Sequence, residues 1–159
     1  CFGSSLIKSD LLTKFEKKFL NVHLGLSPYY RGSGSNVWPL INGKPDMVGA
    51  TFMYIDPGID TGQIIHQIRA DVFLGDSPHS IGNRLIRKMT LTYADIIIKF
   101  SNLNFEKQPE KQGKLYLQKD FVSDSCKLLY RNFERGMIKR YINSRVKLPY
   151  IVNNKGLQK

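Results

Sequence analysis

Only two of the 159 residues are cysteine, Cys1 and Cys126, and only one is tryptophan. Two thiols so far apart make neither a disulfide framework nor a zinc-ligand spacing, so no metal is expected. They fit a reducing, cytoplasmic setting. Neither has a histidine beside it in sequence, which argues against a thiol nucleophile. No apolar run approaches the roughly 20 residues that cross a bilayer, so no membrane role is expected. There is no signal peptide, and the chain opens on Cys1 rather than methionine, as a processed product or a fragment would. Acidic residues are scarce: 13 against 24 basic ones, for a net charge of +11. The imbalance is uneven. Residues 1–105 carry 11 basic and 8 acidic side chains, residues 106–159 carry 13 and 5. A tail of that sign favours anionic partners, although a solvated lysine-rich surface explains it equally well.

What is present is enough apolar residue, 42%, for a real core in one domain with an appendage. Residues 10–18 read as a short helix, with Leu11, Leu12, Phe15 and Phe19 near helical spacing. Residues 19–23 read as a buried strand, residues 25–35 as a glycine-rich loop, residues 37–41 as a helical stretch. Residues 47–55 and 64–72 read as strands joined by a loop over 56–62. Ser77-Pro78 is a cap followed by proline at the first helical position. It should open a helix to about residue 100, burying Ile81, Leu85, Met89, Ala94, Ile97 and Ile98. Strands alternating with helices give an α/β fold. Residues 106–114 look like a linker. A second helical pattern from Ser123 then carries Cys126, Leu129, Tyr130, Phe133, Met137, Ile138 and Tyr141 on one face. The expected division is 1–105 and a basic, mainly helical extension over 106–159.

Three polar groups stand out. Asn21 and His23 are two apart, so on a strand they share a face while Val22 points into the core. A glycine- and proline-bearing loop follows them, and loops after strands collect function. Asp60 lies in the run Ile55-Asp56-Pro57-Gly58-Ile59-Asp60-Thr61-Gly62. An amide, an imidazole and a carboxylate together suit acyl-group chemistry at neutral pH. The structural alternative makes His23 a satisfied core histidine, and Asp56 and Asp60 caps of their own turn. Asp56 fits that role better than Asp60. Asp60-Thr61-Gly62 also suggests an aspartic protease, but that needs a second triplet or a dimer in an all-β chain. The acidic spacing lacks the EF-hand ligand pattern, and Arg31-Gly32-Ser33-Gly34-Ser35-Asn36 lacks the end of a P-loop. His66 and His79 read as structural.

Asn21-Val22-His23-Leu24-Gly25-Leu26-Ser27-Pro28-Tyr29-Tyr30-Arg31-Gly32 resembles the Asn-x-His-x-Ser-Leu-Leu-Pro-x-x-x-Gly signature of the 10-formyltetrahydrofolate-dependent formyltransferases. Met53-Tyr54-Ile55-Asp56-Pro57-Gly58-Ile59-Asp60-Thr61-Gly62-Gln63-Ile64-Ile65 resembles the second signature of that family. The resemblance covers about residues 1–100 and implies the later half of a Rossmann-like sheet, with leading strands missing. Gly25-Leu26-Ser27 departs from the usual Ser-Leu-Leu, a change expected to touch loop packing more than chemistry.

By that resemblance Asn21, His23 and Asp60 match the catalytic trio. His23, as imidazolium, would stabilise the developing oxyanion. Asp60 would hold its charge and relay a proton, and Asn21 would orient the formyl oxygen. Gly3, Ser4, Ser5, Leu6 and Ile7 match a strand end lining the folate pocket. Asp56, Pro57, Gly58 and Ile59 match the loop that meets the pterin of the co-substrate, 10-formyltetrahydrofolate. Tyr30, Arg31, Gly32 and Trp38 are assigned to the acceptor, with Trp38 as an aromatic platform. The acceptor expected is an amino sugar on a nucleotide. Methionyl-tRNA is the alternative, followed by glycinamide ribonucleotide and by a non-catalytic basic binding module. A homodimer is left open.

Overall fold

A computed structural model describes residues 7, 9–109, 113–144 and 147–157. Three strands form the main sheet: β1 (Leu20–His23), β3 (Gly49–Tyr54) and β4 (Ile64–Arg69), in the order β1-β3-β4 and antiparallel throughout. Asn21 lies opposite Met53 and His23 opposite Thr51. The period of two places Val22 in the core and its polar neighbours on the opposite face. A register shift at Phe52/Met53 marks where β3 bends towards the 56–62 loop.

A second, parallel pair was not expected. β2 (Tyr30–Gly32) lies inside the segment read as loop and pairs with β5 (Lys114–Tyr116), Tyr30 opposite Lys114 and Gly32 opposite Tyr116. Three residues between glycines carry no readable strand pattern, and the partner arrives more than 80 residues later. Residues 106 and 113, at the two ends of the segment read as a linker, are correspondingly tied to the sheets. Glu106 and Ile64 exchange two backbone hydrogen bonds of 2.8 Å, and the Gly113 N–H donates to the Pro28 carbonyl.

The helices flank these sheets, and the fold is α/β. α1 (Ser9–Lys14) is shorter than expected; α2 (Trp38–Ile41) is one buried turn. α3 (Pro78–Ile98) starts as anticipated, the Ser77 hydroxyl accepting the Ser80 N–H at 3.1 Å. Its buried stripe is Ile81, Leu85, Met89 and Ile96, whereas Ala94, Ile97 and Ile98 are exposed. At about 100° per residue Ile96 returns to the Met89 side after two turns, and Ala94 and Ile97 fall well off it. The C-terminal helical pattern is two helices, α4 (Ser123–Glu134) and α5 (Met137–Asn143), separated at Gly136, whose φ of 74° is left-handed. Leu129, Met137 and Ile138 are buried; Tyr130 is exposed. Asn132 on α4 donates to the Leu40 and Ile41 carbonyls, 3.0 and 2.8 Å, capping the end of α2.

Candidate active site

Asp60 is where the elements converge. Its Oδ1 accepts from Asn21 Nδ2 at 3.3 Å, and its Oδ2 accepts the Gly32 N–H at 2.8 Å and lies 3.3 Å from His23 Nδ1. The carboxylate thus gathers β1, β2 and the 56–62 loop around itself. Both His23 and Asp60 are nearly buried, at 8% and 11% side-chain exposure. Asp60 adopts φ of 55° without being glycine, a conformation that costs on the order of 1 kcal/mol and tends to occur at functional sites.

The imidazole is caught between opposing influences. Nε2 lies 3.0 Å from the Tyr30 carbonyl, so each ring nitrogen faces an acceptor, and only the imidazolium carries a proton on both. Burial nonetheless pushes His23 below the ordinary histidine range; the Asp60 carboxylate and then the Tyr30 carbonyl pull it back up, and Arg31 adds to the lowering. Such a ring holds its second proton only through Asp60 and the Tyr30 carbonyl and yields it readily, the property a proton relay needs.

Gly25 is the reason the ring can sit there. A Cβ on Gly25 would lie 2.4 Å from His23 Nε2 and 2.9 Å from the Tyr30 carbonyl oxygen. The departure from the usual serine therefore touches His23 itself, which corrects the expectation that it concerns loop packing. Below the loop, a buried network anchors residues 25–28. Thr51 Oγ1 donates to the Gly25 carbonyl (2.7 Å) and accepts the Ser27 N–H (3.0 Å), while Gln67 Nε2 reaches the Ser27 carbonyl at 2.7 Å.

Asp56 and Asp60 divide their roles. Asp56 accepts from the Thr61 hydroxyl (2.7 Å) and the Gly58 N–H (3.1 Å), capping the turn as the structural reading has it. Asp60 faces the trio. Two cavities flank this loop. One, about 680 Å³, is lined by Ile7, Asn21, His23, Asp60, the 32–36 loop and residues 115–118. The other, about 630 Å³, has an apolar wall of Leu12, Phe15 and Phe19 against Asp56 and Pro57. Gly58 and Ile59 line the first cavity. Gly3, Ser4, Ser5 and Leu6 lie outside the described residues.

The residues assigned to the acceptor behave differently from one another. Gly32 reaches the trio through its backbone N–H. The Arg31 guanidinium donates to the Ile59 and Gly113 carbonyls at 3.3 and 3.4 Å, bracing the loop. Tyr30 and Trp38 are core residues: Trp38 stacks on Tyr116 at 4.3 Å between centroids, Tyr116 on Tyr30 at 5.9 Å. Asn42 Nδ2 donates to both tyrosine hydroxyls, and burial raises the Tyr30 hydroxyl above its ordinary pKa. Trp38 is thus no open platform; its face is occupied by a residue from β5 that sequence reasoning could not place there. Tyr116 lines the first cavity in its stead. His66 is structural: its Nδ1 accepts the Asn154 N–H at 3.1 Å. Among the described residues no group of three or more His, Cys, Asp or Glu could hold a metal ion, and no helix is long and apolar enough to cross a membrane.

A family model described as Formyl transferase matches residues 2–97. The chain belongs to this family. It is 39% identical over 72 residues to the methionyl-tRNA formyltransferase of Desulforamulus reducens, a match covering 45% of this chain and 22% of that protein. It is 35% identical over 127 residues to the dTDP-4-amino-4,6-dideoxyglucose formyltransferase of Mycobacterium bovis, covering 78% of this chain and 51% of that one. Among solved structures, the formyltransferase of Anoxybacillus kamchatkensis superposes with a TM-score of 0.67 at 26% identity, over 81% of this chain and 66% of the other. That protein was crystallised in complex with UDP-4,6-dideoxy-4-formamido-L-AltNAc and tetrahydrofolate. This member of the family spans about half or less of the length of these curated relatives.

Proposed function

We propose that the protein transfers a formyl group from 10-formyltetrahydrofolate to the primary amine of a nucleotide-linked amino sugar. The observation that carries this reading is the Asn21–His23–Asp60 cluster, joined by contacts of 3.3 Å at the wall of a cavity. Its volume falls in the range of small-molecule sites, roughly 300–1,000 Å³. The folate donor fits the residues present. The 56–62 loop is preorganised by Asp56, and Ile7 and Ile59 line the same cavity as the trio, a pairing of polar edge and apolar side suited to a flat heterocycle. Ile7 and residues 56–59 would hold it. When bound, the folate supplies the activated formyl carbon.

The rest is the work of this chain. Asn21 spends one N–H on Asp60 and keeps the other to polarise the formyl oxygen. As the new N–C bond forms and the N–C bond to the folate breaks, one proton must leave the attacking amine and one must reach the departing nitrogen. Asp60 and His23 share a proton across 3.3 Å and are placed to take the first and return the second. Asn21→Ala, His23→Ala and Asp60→Ala in the full-length protein should each lower kcat by roughly a hundredfold or more with the fold retained. The measurement is mass spectrometry of the formylated product from a panel of amino-sugar nucleotides, methionyl-tRNA and glycinamide ribonucleotide. Near-normal turnover by Asp60→Ala would refute the mechanism.

The sugar-nucleotide acceptor is supported by the names of the Mycobacterium relative and of the GDP-perosamine N-formyltransferase of Brucella melitensis, 35% identical over 95 residues. The 39% match to a methionyl-tRNA formyltransferase and the basic tail favour tRNA as the second reading.

A further inference from the structure

Gln108 lies beyond residues 2–97, which the family model matches, in a polar stretch with no motif of its own. Its side chain nevertheless reaches the centre of the site from behind. Nε2 donates to the Asp60 carbonyl at 3.0 Å and to the Gly62 carbonyl at 2.8 Å, spending both of its protons on one loop. The other end of the same carboxamide, Oε1, is buried and has no hydrogen-bond partner among the described residues. A buried acceptor left unmatched is costly, so packing alone does not explain a glutamine here; an apolar side chain would fill the place without the orphan. What only the amide can do is donate twice.

Those two carbonyls are that of Asp60 itself and that of the residue two further on, so they fix the backbone on the C-terminal side of the residue whose φ is a left-handed 55°. Release them and that backbone can relax to a commoner conformation, turning the carboxylate away from His23, Asn21 and the Gly32 N–H. The stem of Gln108 is itself fixed. The paired Glu106–Ile64 backbone bonds hold the chain two residues earlier, on the edge of the main sheet. Pro109 follows and keeps Gln108 extended. Other anchors sit beside this one, Arg31 on the Ile59 carbonyl just before Asp60 and the Asp56 carboxylate on Thr61 and Gly58, but neither touches the Asp60 or Gly62 carbonyl.

We infer that Gln108 is a positioning residue for Asp60: by clamping the carbonyls of Asp60 and Gly62 it holds the carboxylate against His23. The inference rests on the reading of Asn21, His23 and Asp60 as the transfer centre. Gln108 touches no reacting atom and acts through the backbone alone.

The test is Gln108→Met in the full chain, which keeps length and volume and removes both donors. The expected result is a fall in kcat of roughly tenfold to a hundredfold, with the KM of donor and acceptor within about twofold. The His23 titration, followed by nitrogen NMR of the imidazole, should move to lower pH as the Asp60 carboxylate swings away. Gln108→Asn, too short to bridge both carbonyls, should behave alike and stands in if the methionine variant does not fold. In the unsubstituted protein the Gln108 side-chain amide should show scalar coupling through its hydrogen bonds to both carbonyls. A folded variant with unchanged kcat and unchanged His23 titration overturns the inference, as does absence of that coupling. Asp60→Asn separates the two levels. If it is inactive while Gln108→Met is normal, only the positioning role fails; if it is fully active, the transfer centre itself has been misread.

Discussion

At the residue scale, the site depends on a close approach that one missing side chain permits. Gly25 lets His23 lie against the Tyr30 carbonyl; an added methyl would meet the ring nitrogen at 2.4 Å and the Ser35 Cβ at 2.6 Å. Backbone cannot yield easily, but the ring can. Gly25→Ala is therefore expected to swing His23 off the Tyr30 carbonyl, break its 3.0 Å contact there and misalign it with Asp60. A kcat lower by roughly tenfold or more, in a protein that still melts cooperatively, is the expected outcome. The imidazole proton bound to Nε2 should at the same time lose its hydrogen-bonded shift by NMR. An imidazole spectrum unchanged by the substitution would show that the glycine is incidental. The trio was legible in the sequence because spacing and motif agree: Asn21 and His23 obey the strand period, and Asp60 lies in a glycine-hinged loop. Gln108 was not, because its partners are two backbone carbonyls 46 and 48 residues away, which leave no trace in side-chain pattern.

At the scale of elements, β4 is the outer strand of the main sheet, and the segment at 149–154 covers that edge. The Gln67 N–H donates to the Val152 carbonyl at 2.8 Å, Gln67 Oε1 accepts the Val152 N–H at 2.9 Å, and His66 Nδ1 accepts from Asn154. An edge so paired is withdrawn from intermolecular strand addition. The contact requires neutral His66, and burial already lowers its pKa. The sign follows: below the ordinary histidine value the unfolded chain takes up a proton that the folded chain refuses, so stability is full above about pH 6.5 and declines as pH falls. His23, lowered in the same direction, adds to the decline. Each proton contributes a slope of up to about 1.4 kcal/mol per pH unit. Thermal melts between pH 7.5 and 5 should therefore show a falling Tm. His66→Gln, whose carboxamide oxygen can accept the Asn154 N–H without titrating, should lose about half of that dependence. The strand itself was readable from its β-rich run, and so was the start of α3 at Ser77-Pro78. The β2–β5 pair was not, since a three-residue strand is defined by its distant partner rather than by its own composition.

At the scale of the whole molecule, the described residues from Glu106 onward close around the site rather than trailing from it. They supply the Glu106 bridge, the Gln108 clamp, the β5 strand with Tyr116, and the cover over β4. Composition foretold their charge but not this path, because charge is read along the chain and the path is set by hydrogen bonds across it. That charge now bears on the acceptor. Excess positive charge in residues 106–159 attracts any polyanion, so binding of tRNA by itself decides nothing. The salt dependence does decide. An acceptor carrying one pyrophosphate displaces few counterions, and the logarithm of its affinity should fall against the logarithm of salt with a slope of roughly 1 to 2. A tRNA engaged across the basic tail neutralises several phosphates and should show a slope of about 4 or more. The expected outcome is that formylation follows the shallow ligand. Amino-sugar nucleotide should be turned over with a KM that rises only about three- to ninefold for a threefold rise in salt, while tRNA binds steeply and gains no formyl group. Formylation of methionyl-tRNA that persists as salt is raised, with no product from any amino-sugar nucleotide, would transfer the assignment to the second reading and make the tail part of its acceptor site.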